Sequence, residues 1–236
     1  MNKNLKNALK TAFEPPKPAG KRAFLRALPA PSMGTPAFLL AQAGYVRKWV
    51  WVLSGALFAG ALAGTQWLER DVLWWLSACM PLLALSVLTE SGRSQRWGMA
   101  EFELSTRFSL KSVVLARLLI LGAANGALFC LLVPFAAKSS GVGLAQTAAC
   151  MACPYLLTAF GGLWAVRRVR GREGDFLCAG IAAAVCAGST FLHQSFPAAY
   201  EAPALAWWLA ALALLGLGTT KQCWQMVKQT EELAWS

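Results

Sequence analysis

Cys150-Met-Ala-Cys153 is the stretch of this chain whose residue types and spacing best match a covalent chemistry. A CxxC dithiol exchanges electrons with a quinone or a partner's disulfide when one of its thiols has a lowered pKa. Here the pair sits amid Ala148, Ala149, Met151 and Ala152 with no cation nearby to stabilise a thiolate. Packing is the better account, because small residues let helix backbones approach closely in lipid. The chain has seven cysteines, an odd number, and all but one fall inside apolar runs, so they read as buried small residues and not as disulfides. His193 is the single histidine and has no acid within helical reach, so no metal cluster is expected. No G-x-x-x-x-G-K-S/T sequence occurs, which excludes ATP hydrolysis by that mechanism within this chain. Paired carboxylates of the kind proton-driven pumps use are missing from the apolar runs. No catalytic residue and no cofactor are therefore expected.

The elements that position these residues are membrane spans. With 57% hydrophobic and 14% charged residues, and a mean hydropathy of +0.47, the chain exceeds the apolar content of ordinary soluble domains. Six stretches approach the ~20 residues needed to cross a hydrocarbon core: Trp49–Leu68, Val72–Leu88, Val113–Ala137, Val142–Val166, Phe176–Leu192 and Ala204–Thr219. Continuous apolarity argues for helices and against the alternating strands of a membrane barrel. The expected class is all-α, a polytopic bundle of six transmembrane helices. Pro81, Pro134 and Pro154 fall inside three successive spans, where kinks are tolerated. Gly60-Ala-Leu-Ala-Gly64 and Gly122-Ala-Ala-Asn-Gly126 are small-xxx-small faces suited to a packed bundle.

Basic residues orient the bundle. Arg47, Lys48, Arg93, Arg96, Arg107, Lys111, Arg167, Arg168, Arg170, Arg172, Lys221 and Lys228 flank one side, and only Arg70 and Lys138 the other, which is 12 against 2. Both termini are then cytoplasmic. The net charge of +11 does not imply nucleic acid, because these residues cluster beside apolar spans, where they meet anionic headgroups. Trp49, Trp51, Trp67, Trp74, Trp75, Trp164, Trp207 and Trp208 lie mostly near span ends, as an interfacial belt would. External connections are short: Glu69–Asp71, Lys138–Gly141 and a longer His193–Pro203.

Three regions result: a cytoplasmic tail and interfacial helix over 1–48, a six-span domain over 49–220 and a cytoplasmic tail over 221–236. The first lacks a signal-peptide pattern and reads as retained. Within it, Leu5, Leu9 and Phe13 line one face of a short basic amphipathic helix, and Pro36 to Lys48 reads as an interfacial helix leading into the first span.

Loop 93–111 is too long for a simple turn between helices. Gln95 to Leu104 can form a short surface helix, with Trp97, Phe102 and Leu104 as apolar contacts and Arg96, Glu101 and Glu103 as charged ones. Ser109 is a suitable N-cap for the next helix, with Phe108 stapling onto Val113. Acids gain nothing from an anionic membrane surface, so Glu101 and Glu103 exceed what orientation requires. Within the spans, Asn125 and Gln146, with Arg117 nearby, are the strongly polar groups. Asn125 and Gln146 either line a translocation path or hydrogen-bond helix to helix.

In these features the chain resembles the six-span permeases of ABC-2 type exporters. The resemblance rests on the amphipathic helix before span one, on Glu101-Phe102-Glu103-Leu104-Ser105 after span two, and on the basic-headed third helix Leu110-Lys111-Ser112-Val113-Val114-Leu115-Ala116-Arg117. It implies a bacterial plasma-membrane protein whose loop 93–111 docks on a separate ATP-binding cassette ATPase subunit through Arg96, Trp97, Glu101, Phe102, Glu103 and Arg107. It also implies a second permease copy, identical or homologous. One departure is the reduction of the family's re-entrant hairpin before the last span to His193–Pro203. The alternative from a different class is a non-transporting membrane scaffold or regulator that recruits a soluble cytoplasmic protein. A third reading, a thiol-dependent redox enzyme, rests only on Cys150 and Cys153.

Overall fold

Apolar runs with so few polar side chains leave the backbone amides only their own helix as a partner in a dry environment. The computed structural model describes residues 34–67, 72–91, 110–169, 172–200 and 202–235, and these contain helices and no strand. In chain order they are α1 (Thr35–Tyr45), α2 (Lys48–Trp67), α3 (Val72–Ser91), α4 (Leu110–Ser140), α5 (Leu144–Arg168), α6 (Arg172–Ser195), two 3-10 turns (Pro197–Tyr200 and Ala202–Ala204) and α7 (Leu205–Trp235). The chain from Leu39 onward forms one unit, and the preceding unit is described only over 34–38.

Among the described residues, four helices are long and apolar enough to cross a membrane: Leu73–Ser91, Val113–Ser140, Leu144–Arg168 and Glu173–Ser195. A fifth candidate is the pair Pro36–Tyr45 and Lys48–Gly64, bent by 86° at a short break. The apolar half of α7 ends at Gly218, and Thr219-Thr-Lys-Gln follows in the same helix, so α7 is not among the four. The apolar stretches expected from sequence thus fall on α2 to α7, with some boundaries moved. α3 continues through Thr89, Glu90 and Ser91, which the hydropathy profile assigned to a loop. Ser86, Thr89 and Ser91 turn their hydroxyls back onto the carbonyls of Leu83, Ser86 and Leu88, so these three hydroxyls find their acceptors within the helix. The basic connection between the spans expected to end at Val166 and to begin at Phe176 is likewise mostly helix. Arg167 and Arg168 close α5, while Glu173 and Asp175 open α6, an arrangement both helix dipoles favour.

α5 is the centre of the bundle, packed against α3, α4, α6 and α7, and α3 packs in turn against α2, α4 and α6. Two larger apolar clusters fill the space between helices, beside a smaller one of Val46, Val50 and Leu121. Met80 and Leu83 of α3, Leu132 and Ala136 of α4, Cys150 and Met151 of α5, and Tyr200 form one. Leu88, Val114, Leu163, Cys178 and Met226 form the other, towards the opposite end. Close approach depends on glycines other than those singled out by motif. A Cβ at Gly162 would overlap Leu88, and Cβ atoms at Gly161 and Gly218 would stand 3.1 Å from Ile181 and from the Phe160 ring. Gly60, Gly122 and Gly126 meet nothing within 4 Å among the described residues, so these glycines set no close approach between the described helices.

The outer surface is apolar. Phe176, Phe191 and Trp207 are 74%, 66% and 81% exposed, and the apolar windows of α4 and α6 are only 17% buried. A surface of this kind fits a helical protein embedded in a membrane.

Candidate functional site

Pro154 sets the local chemistry of α5. Proline has no N–H to donate, so the carbonyl four residues earlier, that of Cys150, loses its helical partner. The Ser77 hydroxyl of α3 donates to that carbonyl at 3.0 Å. Both residues are buried, so the proton of Ser77 satisfies an acceptor that water cannot reach. One turn on, the Thr158 hydroxyl donates to the Pro154 carbonyl at 2.9 Å.

Four aromatic rings gather beside this joint. Trp74 of α3 stacks on His193 of α6 with centroids 5.0 Å apart and planes 12° from parallel. His193 meets Tyr200 edge-on at 5.6 Å, and Tyr200 meets Trp208 of α7 at 5.7 Å. Polar atoms tie the same residues together. Gln146 Nε2 donates to the Tyr200 carbonyl at 3.0 Å, Trp208 Nε1 to the Ala199 carbonyl at 2.6 Å, and the Tyr200 hydroxyl to the Ser189 carbonyl at 3.4 Å. Cys153 Sγ lies 3.5 Å from the Trp208 carbonyl. Burial pushes the Tyr200 phenol above its ordinary value of 10.0, against the opposing effect of a hydrogen bond with Ser77. This arrangement fastens the α6–α7 connection onto α3 and α5. Nδ1 of His193 is buried and has no hydrogen-bond partner among the described residues, and its ring stacks on Trp74.

Asn125 and Gln146 are both buried, and the structure does not bring them to one place. Asn125 Nδ2 donates to the Tyr155 hydroxyl at 3.2 Å, joining the middle of α4 to α5. Gln146 lies nine residues before Tyr155, about 14 Å away along the helix axis. Each thus makes a contact between elements. Cys150 and Cys153 are buried free thiols, and among the described residues no group of three or more histidine, cysteine or acidic side chains could hold a metal ion. Arg96, Trp97, Glu101, Phe102, Glu103 and Arg107 lie outside the described residues. So do Ser109, Phe108 and the segments expected to be helical over 2–13 and 95–104.

At the opposite end of the bundle, Arg167 Nη1 donates to Gln222 Oε1 and, at 2.6 Å, to Gln225 Oε1, joining α5 to α7. The Arg168 guanidinium sits over the Trp164 ring, 5.8 Å from its centroid. Glu90 is buried in the last turn of α3 at 3% exposure. No family model, curated protein or solved structure matches this chain.

Sequence reasoning missed Ser77, Tyr155, Tyr200 and Glu90. Pro154 carried a usable signal, since an intramembrane proline announces an orphaned carbonyl and so a donor on a neighbouring helix. Tyr200 carried none, because its polar contacts with Gln146 and Ser77 come from helices distant in sequence. Glu90 was discounted because hydropathy alone ended its helix at Leu88.

Proposed function

We propose that this chain is the membrane-spanning permease subunit of an ATP-driven exporter of the ABC-2 type. In this reading α2 to α7 are six spans of a plasma-membrane protein, both termini are cytoplasmic, and a second permease copy, identical or homologous, completes the path. The observation that carries it is the corner between α1 and α2. α1 turns by 86° into α2, and Arg47 and Lys48 are exposed at the corner. A helix across the bilayer then places α1 along the headgroup plane, where exposed Leu40 and Tyr45 suit an interfacial helix. This is the element that precedes the first span in the resemblance noted above. The 12-to-2 asymmetry of basic residues supports the assigned orientation.

Energy comes from a partner ATPase gripping loop 93–111, with Arg96, Trp97, Glu101, Phe102, Glu103 and Arg107 as the contact. Movement of that loop is transmitted to α3 and α4, which it joins. Asn125 and Gln146 are the polar positions within the spans to test against substrate. The experiment is purification of the full chain from its native membrane in mild detergent. An ATP-binding cassette ATPase in fixed ratio, released by Glu101→Lys with Glu103→Lys, supports the reading. Absence of an ATPase, or an association indifferent to both reversals, overturns it.

A further inference from the structure

The flank of the α5–α7 pair beside Arg167 carries a cluster that the permease reading uses only for orientation. Contacts between the two helices pair Cys153 with Trp208, Phe160 with Gly218, and Arg167 with Gln222 and Gln225. The residue numbers rise together, so the helices run parallel. On a right-handed helix each residue advances by about 100°. Moving one residue forward from the facing position on one helix and one residue backward on its parallel partner therefore reaches the same flank of the pair. Arg168 follows Arg167, and Lys221 precedes Gln222, so both cations lie on one flank. Trp164 is one turn before Arg168 on that side, and Trp224 and Lys228 continue the stripe begun by Lys221 at spacings of three and four.

The side chains agree with this placement. Arg168, Lys221 and Lys228 are exposed, and Trp164 and Trp224 are 45% and 69% exposed. The Arg168 guanidinium is held over Trp164 and not extended at random. Just before them on α7, Leu214 and Leu217 form the exposed apolar stripe that acyl chains would cover.

From this juxtaposition of three cations and two indoles at the end of an exposed apolar stripe, we infer a binding site for one anionic phospholipid on the α5–α7 flank. Its phosphate is held by Arg168, Lys221 and Lys228, its glycerol region lies against Trp164 and Trp224, and its chains run along Leu214 and Leu217. Charge complementarity selects an anionic lipid over a zwitterionic one, and the indoles fix the depth of the headgroup. The site requires only that these helices lie in a bilayer, so it stands whether or not the chain transports.

The test is native mass spectrometry of the full chain in mild detergent, titrated with phosphatidylglycerol or phosphatidylcholine. The expected result is retention of phosphatidylglycerol over phosphatidylcholine, falling about fivefold with each cation removed in Lys221→Gln, then with Lys228→Gln, then with Arg168→Gln. The pair Arg47→Gln with Lys48→Gln, remote in sequence, is expected to leave the preference intact. Equal affinity for the two lipids, or equal loss in the Arg47 and Lys48 variant, overturns the site. Displacement of phosphatidylglycerol by the same concentration of inorganic phosphate overturns the lipid assignment, since a headgroup anchored by its chains is not exchanged by a free anion.

Discussion

The Ser77 hydroxyl and the Cys150 carbonyl, 73 residues apart, form a hydrogen bond at the one carbonyl of α5 that Pro154 deprives of an amide. Removing the donor leaves a buried acceptor unsatisfied, which costs about 1–3 kcal/mol. Ser77→Ala is therefore expected to lower the stability of the detergent-purified protein by that amount. Pro154→Ala restores an N–H to the same carbonyl, so the loss should shrink when both changes are combined. A double-mutant cycle followed by thermal unfolding checks this, and simple additivity would show that the two residues do not share the carbonyl.

Helix spacing supplies a prediction whose sign depends on position. Gly162→Ala forces a methyl group into Leu88 and is expected to destabilise by about 1–3 kcal/mol, with relief when Leu88→Ala opens the space. Gly122→Ala and Gly126→Ala meet nothing and gain up to about 1 kcal/mol each, the helical advantage of alanine over glycine. Ranking the three variants by unfolding midpoint in one detergent decides the matter. A Gly162→Ala protein as stable as the parent would mean that α3 and α5 are not in close contact there.

These two cases show where the sequence was informative. Hydropathy located the helices because each span must be apolar along its length, and that requirement is local. It could not choose among glycines, since GxxxG records a possible contact and not which face the neighbouring helix takes. Gly161 and Gly162 have no motif spacing, yet they set the approach of α6 and α3 to α5. Of the eight tryptophans assigned to an interfacial belt, those whose side chains are described divide for the same reason. Trp49, Trp75 and Trp207 face outward, whereas Trp74 and Trp208 turn inward onto His193 and Tyr200, and nothing in their own sequence neighbourhood marks the difference. Of the candidate site, Asn125 and Gln146 were legible as polar residues in apolar runs, but their partners Tyr155 and Tyr200 required the fold.

Tyr200 provides a pH dependence. Burial raises its phenol pKa in the folded state, so folding favours the neutral form. The contribution is fully present below the unfolded value of 10.0 and is lost as pH rises through the higher folded value. Stability is thus expected to fall at alkaline pH, and Tyr200→Phe, which cannot ionise, should lose less over the same window. Phenolate absorbance of the two proteins, titrated in parallel, gives the folded titration directly. A Tyr200 that ionises at or below the value of an exposed tyrosine would contradict its place beneath Trp208.

Arg167 is a polar link between α5 and α7, donating to two glutamine oxygens from a half-buried position. Hydrogen bonds from a charged donor contribute about 1.5–3 kcal/mol, and partial exposure places this pair towards the lower figure. Arg167→Ala should therefore destabilise by roughly 1–2 kcal/mol once that exposure is discounted. Gln222→Ala with Gln225→Ala should lose a similar amount, and all three together little more than either set. Arg167→Lys keeps the charge but offers a single ammonium in place of a planar fork, so it should recover only part of the loss. Full recovery by lysine would show that position 167 needs only a cation facing the headgroups, and that the two glutamines do not hold α7 in register with α5.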